Sequence, residues 1–161
     1  MSTIADPENT LILDTTKGRV VIAMRPDLAP VHVARIKELA REKFYDGVPF
    51  HRVIDGFMAQ TGCPKGNGTG GSGKKLRAEF TRTPHDRGTC SMARAMDPNS
   101  GDSQFFICFA RSPWLDGQYT VWGAVTEGMD VVDQIKRGEP VQNPDRITSL
   151  RVAADVAEAG A

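Results

Sequence analysis

Apolar residues recur along this chain with two different periods, and the switch between them marks out its elements. Leu11 to Asp14 and Arg19 to Met24 are short runs rich in Val, Ile and Leu, with Thr16-Lys17-Gly18 between them. Two β-prone runs joined by such a turn predict a hairpin. The period then lengthens. Ala29, Val33, Ile36, Ala40 and Phe44 step by three and four, while Arg35, Lys37, Glu38 and Arg41 fall elsewhere. This is the apolar stripe of a helix. Pro30 opens it, where a missing N–H costs nothing, and Asp46-Gly47 stops it. Further short runs predict strands at Phe50 to Ile54, Phe57 to Thr61, Thr89 to Met92, Gln104 to Phe109 and Val121 to Thr126. A second helix is predicted from Met129 to Arg137, with Met129, Val132 and Ile135 on one side; Lys136-Arg137 and Gly138 suit a helix C-terminus. Ile147 to Ala153 alternates partially and predicts a last strand.

Seven or eight short strands with only two helices predict a mainly β chain, a closed antiparallel barrel capped by the helices, since closure removes exposed strand edges. The domain is expected over residues 10–155, with a flexible segment before it (1–9) and a tail after it (156–161). The glycine-rich stretch from Lys65 to Lys75 is predicted as loop. Within it Gly66, Gly68 and Gly71 satisfy G-x-G-x-x-G, and Gly68 to Lys74 falls one residue short of a P-loop, with Lys75 where Ser or Thr is needed. Both motifs require a helix whose N-terminus holds the phosphate. Only Leu76 to Arg82 precedes Thr83-Pro84, too short for one, so a loop packed over a surface is the better reading.

Composition adds mainly exclusions. Lys plus Arg and Asp plus Glu number 20 each, against the strongly basic balance of a nucleic-acid binder. No apolar run reaches the ~20 residues of a membrane helix, and Met1 to Asn9 has no signal-peptide pattern. Cys63, Cys90 and Cys108 form no CxxC pair. An odd, sparse set suits a reducing compartment, so a cytoplasmic protein is expected. A thiol or metal site built from these cysteines with His32, His51 and His85 finds no ligand spacing to support it. His32 is expected to face solvent from its helix, and Cys90 and Cys108 to be small buried apolars.

Three blocks carry chemistry: Phe50-His51-Arg52-Val53-Ile54-Asp55-Gly56-Phe57-Met58-Ala59-Gln60-Thr61-Gly62, Ser103-Gln104-Phe105-Phe106-Ile107, and Trp114-Leu115-Asp116-Gly117. Strand alternation puts Met58 and Gln60 on one face, and likewise Gln104 and Phe106, with Phe105 and Ile107 pointing into the barrel. Two apolar and two amide side chains then share an outward site, its wall extended by Phe57, Trp114 and Leu115. A greasy pocket ringed by amides and one arginine suits proline and its flanking peptide groups, and it holds no evident nucleophile–base pair. On its residues alone Arg52 fits a buried ion-pair partner as well as a functional cation.

In sequence, order and spacing these blocks resemble the cyclophilin family of peptidyl-prolyl cis/trans isomerases, in its bacterial-like, single-domain form. The resemblance runs from about Leu11 to Val152 and includes Asn67 to Gly71 and Ser91-Met92-Ala93. It implies an eight-stranded cyclophilin-like barrel and a cofactor-free, non-covalent enzyme acting on proline-containing peptides and on unfolded or partly folded proteins. It also implies a cyclosporin-type cyclic peptide as a possible inhibitor, and a monomer without nucleic-acid or membrane partners. A non-catalytic proline-peptide-binding module on the same fold is the alternative. By resemblance, Arg52 is the catalytic donor. Phe57, Met58, Phe106 and Leu115 hold the proline ring. Gln60 and the backbone at Arg94 hold the peptide groups, with His51, Ala93, Gln104, Trp114 and Tyr119 along the groove. Arg94 stands where the family usually has Asn, Met96-Asp97-Pro98 lengthens the following loop, and Tyr119 and Trp122 replace a frequent His and Phe. Those departures bear on ligand selectivity.

Overall fold

A computed structural model of the chain describes residues 6–156. Strands β1 (Thr10–Thr15) and β2 (Gly18–Met24) form the predicted hairpin, with Thr15 paired to Gly18. The turn holds because Thr15 Oγ1 accepts from the N–H groups of Lys17 (3.0 Å) and Gly18 (3.1 Å), while Gly18 supplies a φ of +140° that other residues rarely adopt. Helix α1 (Pro30–Arg41) follows, its Val33, Ile36 and Ala40 buried in the main core. Strands β3 (Arg52–Ile54), β4 (Met58–Thr61), β5 (Thr89–Met92), β6 (Phe105–Cys108), β7 (Val121–Glu127) and β8 (Ile147–Val152) complete one antiparallel sheet in the order β3-β4-β6-β5-β7-β2-β1-β8.

The sheet curls so that its two edges approach through the segments leading into them. Gly47 N–H donates to Ile147 O (2.7 Å), Ile147 N–H to Val48 O (2.8 Å) and Phe50 N–H to Asp145 O (2.8 Å). Short bridges of this kind join the edges; β3 and β8 themselves do not form a ladder. The fold is thus the expected mainly β, eight-stranded antiparallel arrangement.

Two expectations are corrected. Helix α2 covers only Met129–Val132 rather than Met129 to Arg137. Arg137 instead donates through Nη1 to the carbonyls of Asp133 and Ile135 (2.7 Å each), and Gly138 exchanges backbone bonds with Val53 (2.8 Å each way). Carbonyls a longer helix would use are satisfied by a side chain, and the chain is drawn to β3. His32 is not solvent-facing but 1% exposed. Ala29 offers α1 no side-chain cap, and Glu79 takes its place, accepting from the N–H of Val31 (3.2 Å) and His32 (2.8 Å) and from His32 Nδ1 (2.6 Å). Of the segment 1–9, residues Pro7–Asn9 form a 3-10 turn, and Glu8 pairs with Lys37 (3.0 Å) and Arg41 (3.1 Å). Residues 1–5, and 157–161 of the expected tail, lie outside the described residues.

The core falls into two main clusters and a small third one of Ile12, Val21 and Ala153. The larger cluster holds Leu11, Leu13, Ile22, Tyr45, Phe50, Phe105, Ile107 and Trp122 inside the sheet. A smaller one, Met58, Phe106, Cys108 and Leu115 with Phe57, Ala93 and Tyr119 against it, lies on the other face. Adjacent residues of β6 therefore go to opposite clusters, as strand alternation requires.

Candidate active site

Register places the site. Arg52 on β3 is opposite Gln60 on β4, Gln60 is opposite Phe106 on β6, and Phe106 is opposite Ser91 on β5. One outward row thus runs cation, amide, aromatic ring across neighbouring strands. Over it opens a cavity of about 700 Å³. Met58, Phe106 and Leu115 floor it, and Phe57 and Trp114 stand at one end with ring centroids 5.7 Å apart. Tyr119 meets Phe106 edge-on at 5.7 Å. His51, Arg52, Gln60, Ala93 and Arg94 line the remainder. Of the residues singled out in the sequence only Gln104 stays out of this lining; it faces a neighbouring recess.

Gln104 nevertheless belongs to the site through hydrogen bonds. Arg52 Nη1 donates to Gln60 Oε1 (3.2 Å), Gln60 Nε2 to Gln104 Oε1 (3.0 Å), and Gln104 Nε2 to the carbonyls of Gly68 and Gly70 (2.9 Å each). A guanidinium can only donate, so it fixes both amides in one orientation. The chain of bonds ends on the glycine-rich loop. That loop is more than a surface covering, since Gly66, Asn67 and Gly68 form one cavity wall. Cys63 anchors it: its sulfur accepts the Gly70 N–H at 3.1 Å.

Arg52 is not buried. Its Nε donates to Glu139 Oε2 at 2.7 Å in a pair whose side chains are 41% and 57% exposed. The buried ion-pair reading is thereby set aside. Glu139 and Pro140 line the cavity, and no sequence pattern pointed to them. The same is true of His85, which lies directly behind the floor. Its ring stacks on Phe106 at 6.3 Å, with Nδ1 3.0 Å from Asp116 Oδ1 and Nε2 2.9 Å from Ser91 Oγ. Phe106, placed on the outward face by strand alternation, is nonetheless buried, at 4% exposure.

Among the described residues no three His, Cys, Asp or Glu side chains converge as a metal centre needs. The Cys90 and Cys108 thiols are not poised nucleophiles: burial pushes Cys108 up to about 12 and Cys90 well above the ordinary range.

His32, His51 and His85 are all held below the ordinary imidazole value, in each case chiefly by burial; Glu79 opposes this at His32, Asp116 at His85, and the Arg52 charge reinforces it at His51. The unfolded chain therefore binds more protons than the fold just below the reference value of 6.5. Stability should be fully present above about pH 6.5 and fall as pH drops through the depressed folded values. Melting temperatures taken between pH 7.5 and about 5, above the range where Asp116 and the other paired carboxylates titrate, should decline. A flat profile there would mean that the rings are protonated in the fold.

Comparison with known proteins gives the same answer as the geometry. The family model for cyclophilin type peptidyl-prolyl cis-trans isomerase/CLD matches residues 10–152, and the chain belongs to that family. A probable peptidyl-prolyl cis-trans isomerase of Brucella suis is 54% identical over 168 residues, covering 94% of this chain and 86% of that protein. One from Helicobacter pylori is 45% identical over 135 residues, covering 81% and 82%. Among solved structures, a cyclophilin from Hirschia baltica superposes with a TM-score of 0.88 at 33% identity, covering 94% of this chain and 76% of that one. A Cryptosporidium parvum cyclophilin crystallised in the presence of the dipeptide Ala-Pro gives 0.83 at 26% identity, covering 89% and 98%. The protein is a peptidyl-prolyl cis/trans isomerase of the cyclophilin type.

Proposed function

We propose that Arg52 turns the X-Pro bond by donating a hydrogen bond to the prolyl nitrogen in the twisted transition state. The observation that carries this is the row Arg52–Gln60–Phe106, which sets a guanidinium beside a buried apolar floor with an oriented amide between them. Amide resonance imposes a barrier of ~18–20 kcal/mol. As the bond twists, the nitrogen regains a lone pair and becomes an acceptor, whereas the planar ground state offers almost none. A donor placed there binds the transition state selectively. An acceleration of about 10⁵ corresponds to roughly 7 kcal/mol, within reach of one charged hydrogen bond, a dry pocket and a held ring together. Met58, Phe106 and Leu115 hold the ring with Phe57. Gln60 and the backbone at Arg94 hold the peptide, and Gln104 steadies Gln60. The Ala-Pro present with the Cryptosporidium relative supports a proline-containing ligand here.

The clients on this reading are X-Pro segments of unfolded or partly folded proteins, handled by a monomer in a reducing compartment. The free state of Cys63, Cys90 and Cys108 supports the compartment. A cyclosporin-type peptide would use the same apolar floor. Coupled isomerisation kinetics on a short X-Pro peptide test the activity, and a protein that binds the peptide without accelerating it would be the non-catalytic module instead. Turnover should be unchanged in EDTA and in dithiothreitol. Loss in EDTA, restored by zinc, would overturn the cofactor-free mechanism.

A further inference from the structure

The cavity is lined by three groups that carry charge at neutral pH, and they are not balanced. Arg52 is paired with Glu139. Arg94, on the opposite side, has no carboxylate partner among the described residues. His51, the remaining titratable ring in the lining, is kept neutral by burial and by Arg52. Arg94 is also held in place rather than free to swing. Its Nε donates to Gln118 O (2.8 Å) and its Nη1 to Ala95 O (3.0 Å) and Met96 O (3.1 Å), while the guanidinium carbon sits 4.8 Å from the centre of the Tyr119 ring. Those bonds leave Nη2 without a partner among the described residues. In the adjoining recess, which Arg94 also lines, Lys75 adds a second cation, and the one carboxylate, Asp102, is occupied by Ser72 Oγ and the N–H groups of Ser72 (2.8 Å) and Gly73 (3.1 Å). A fixed planar cation with spare donors loses little freedom on binding an anion.

We infer that Arg94 is a specificity-determining residue that favours X-Pro substrates carrying an anionic side chain, carboxylate or phosphate, next to the prolyl dipeptide on the Ala93–Arg94 side of the groove. The inference rests on the isomerase reading above and narrows its substrate class. It concerns the ratio between substrates, not the rate on any one of them.

Peptides identical except at the positions flanking X-Pro, carrying Gln, Glu, Lys or phosphoserine, read that ratio through kcat/KM and through dissociation constants from fluorescence titration. At one flanking position Glu should exceed Gln by about two- to fivefold at low salt, as one partly exposed ion pair supplies, with phosphoserine higher and Lys lower. The preference should shrink towards unity as ionic strength rises to about 0.5 M. Arg94→Gln should abolish it and Arg94→Glu should shift it to Lys. A preference for phosphoserine without one for Glu would assign the anion as phosphate. Equal values for all four peptides in the unmodified protein, or a Glu preference that survives Arg94→Gln, would overturn the inference. The salt dependence is read on the unmodified protein, so the conclusion does not hang on the variants folding. Failure to accelerate even the Gln peptide would strike the isomerase reading instead, and the dissociation constants would still decide the role of Arg94.

Discussion

Arg52→Ala is expected to lower kcat/KM on a short X-Pro peptide by about two to three orders of magnitude, the usual cost of removing a donor aimed at charge that develops in the transition state. Affinity for the peptide should fall far less, because the planar ground state makes little use of that donor. The fold should hardly notice. The Arg52–Glu139 pair is 41% and 57% exposed, and exposed pairs contribute at most about 1 kcal/mol. Arg52→Lys should recover little, since one planar group serves Glu139 and Gln60 at the same time as the pocket. Turnover and affinity lost in equal measure would reduce Arg52 to a binding residue.

Phe105→Ala and Phe106→Ala, though neighbours, should fail in different ways. Phe105 is 0% exposed and meets Tyr45 and Trp122 edge-on at 5.6 and 5.3 Å. Its truncation leaves a void in the main core and should cost about 3–5 kcal/mol, on the order of 10–15 °C in Tm for a chain of this size. Phe106 is nearly as buried, so its loss is not free, but the space it vacates opens to the cavity and can take water. Phe106→Ala should therefore destabilise less and weaken X-Pro binding much more. Melts and peptide titrations on the pair would show a reversed pattern if the two rings faced the other way.

Much of the arrangement was legible because period and register are local properties. Alternation along Gln104-Phe105-Phe106-Ile107 sufficed to assign faces, and the two clusters follow those faces. What escaped depends on partners distant in sequence. His32 occupies a helical position that reads as exposed, and only Glu79, brought from another loop, explains its burial. Helix α2 stops short because Gly138 is claimed by Val53, a pairing no periodicity announces. Glu139 joins the site from an irregular loop without an apolar pattern. Alternation gave Phe106 its outward face but not its burial, which comes from packing by His85 behind and Tyr119 at the side.

The sheet order sets β1 between β2 and β8, so two segments from nearly opposite ends of the chain are paired from Leu11 with Val152 to Thr15 with Ile147. During synthesis the hairpin of β1 and β2 emerges well before β8, with one edge of β1 open and apolar. It must wait for almost every other element before β8 arrives to cover it. Long-range pairings of this kind form slowly and leave sticky edges in the interim. Until β8 is made, a nascent chain of this protein therefore presents an unfinished sheet edge of the kind that cellular chaperones shield.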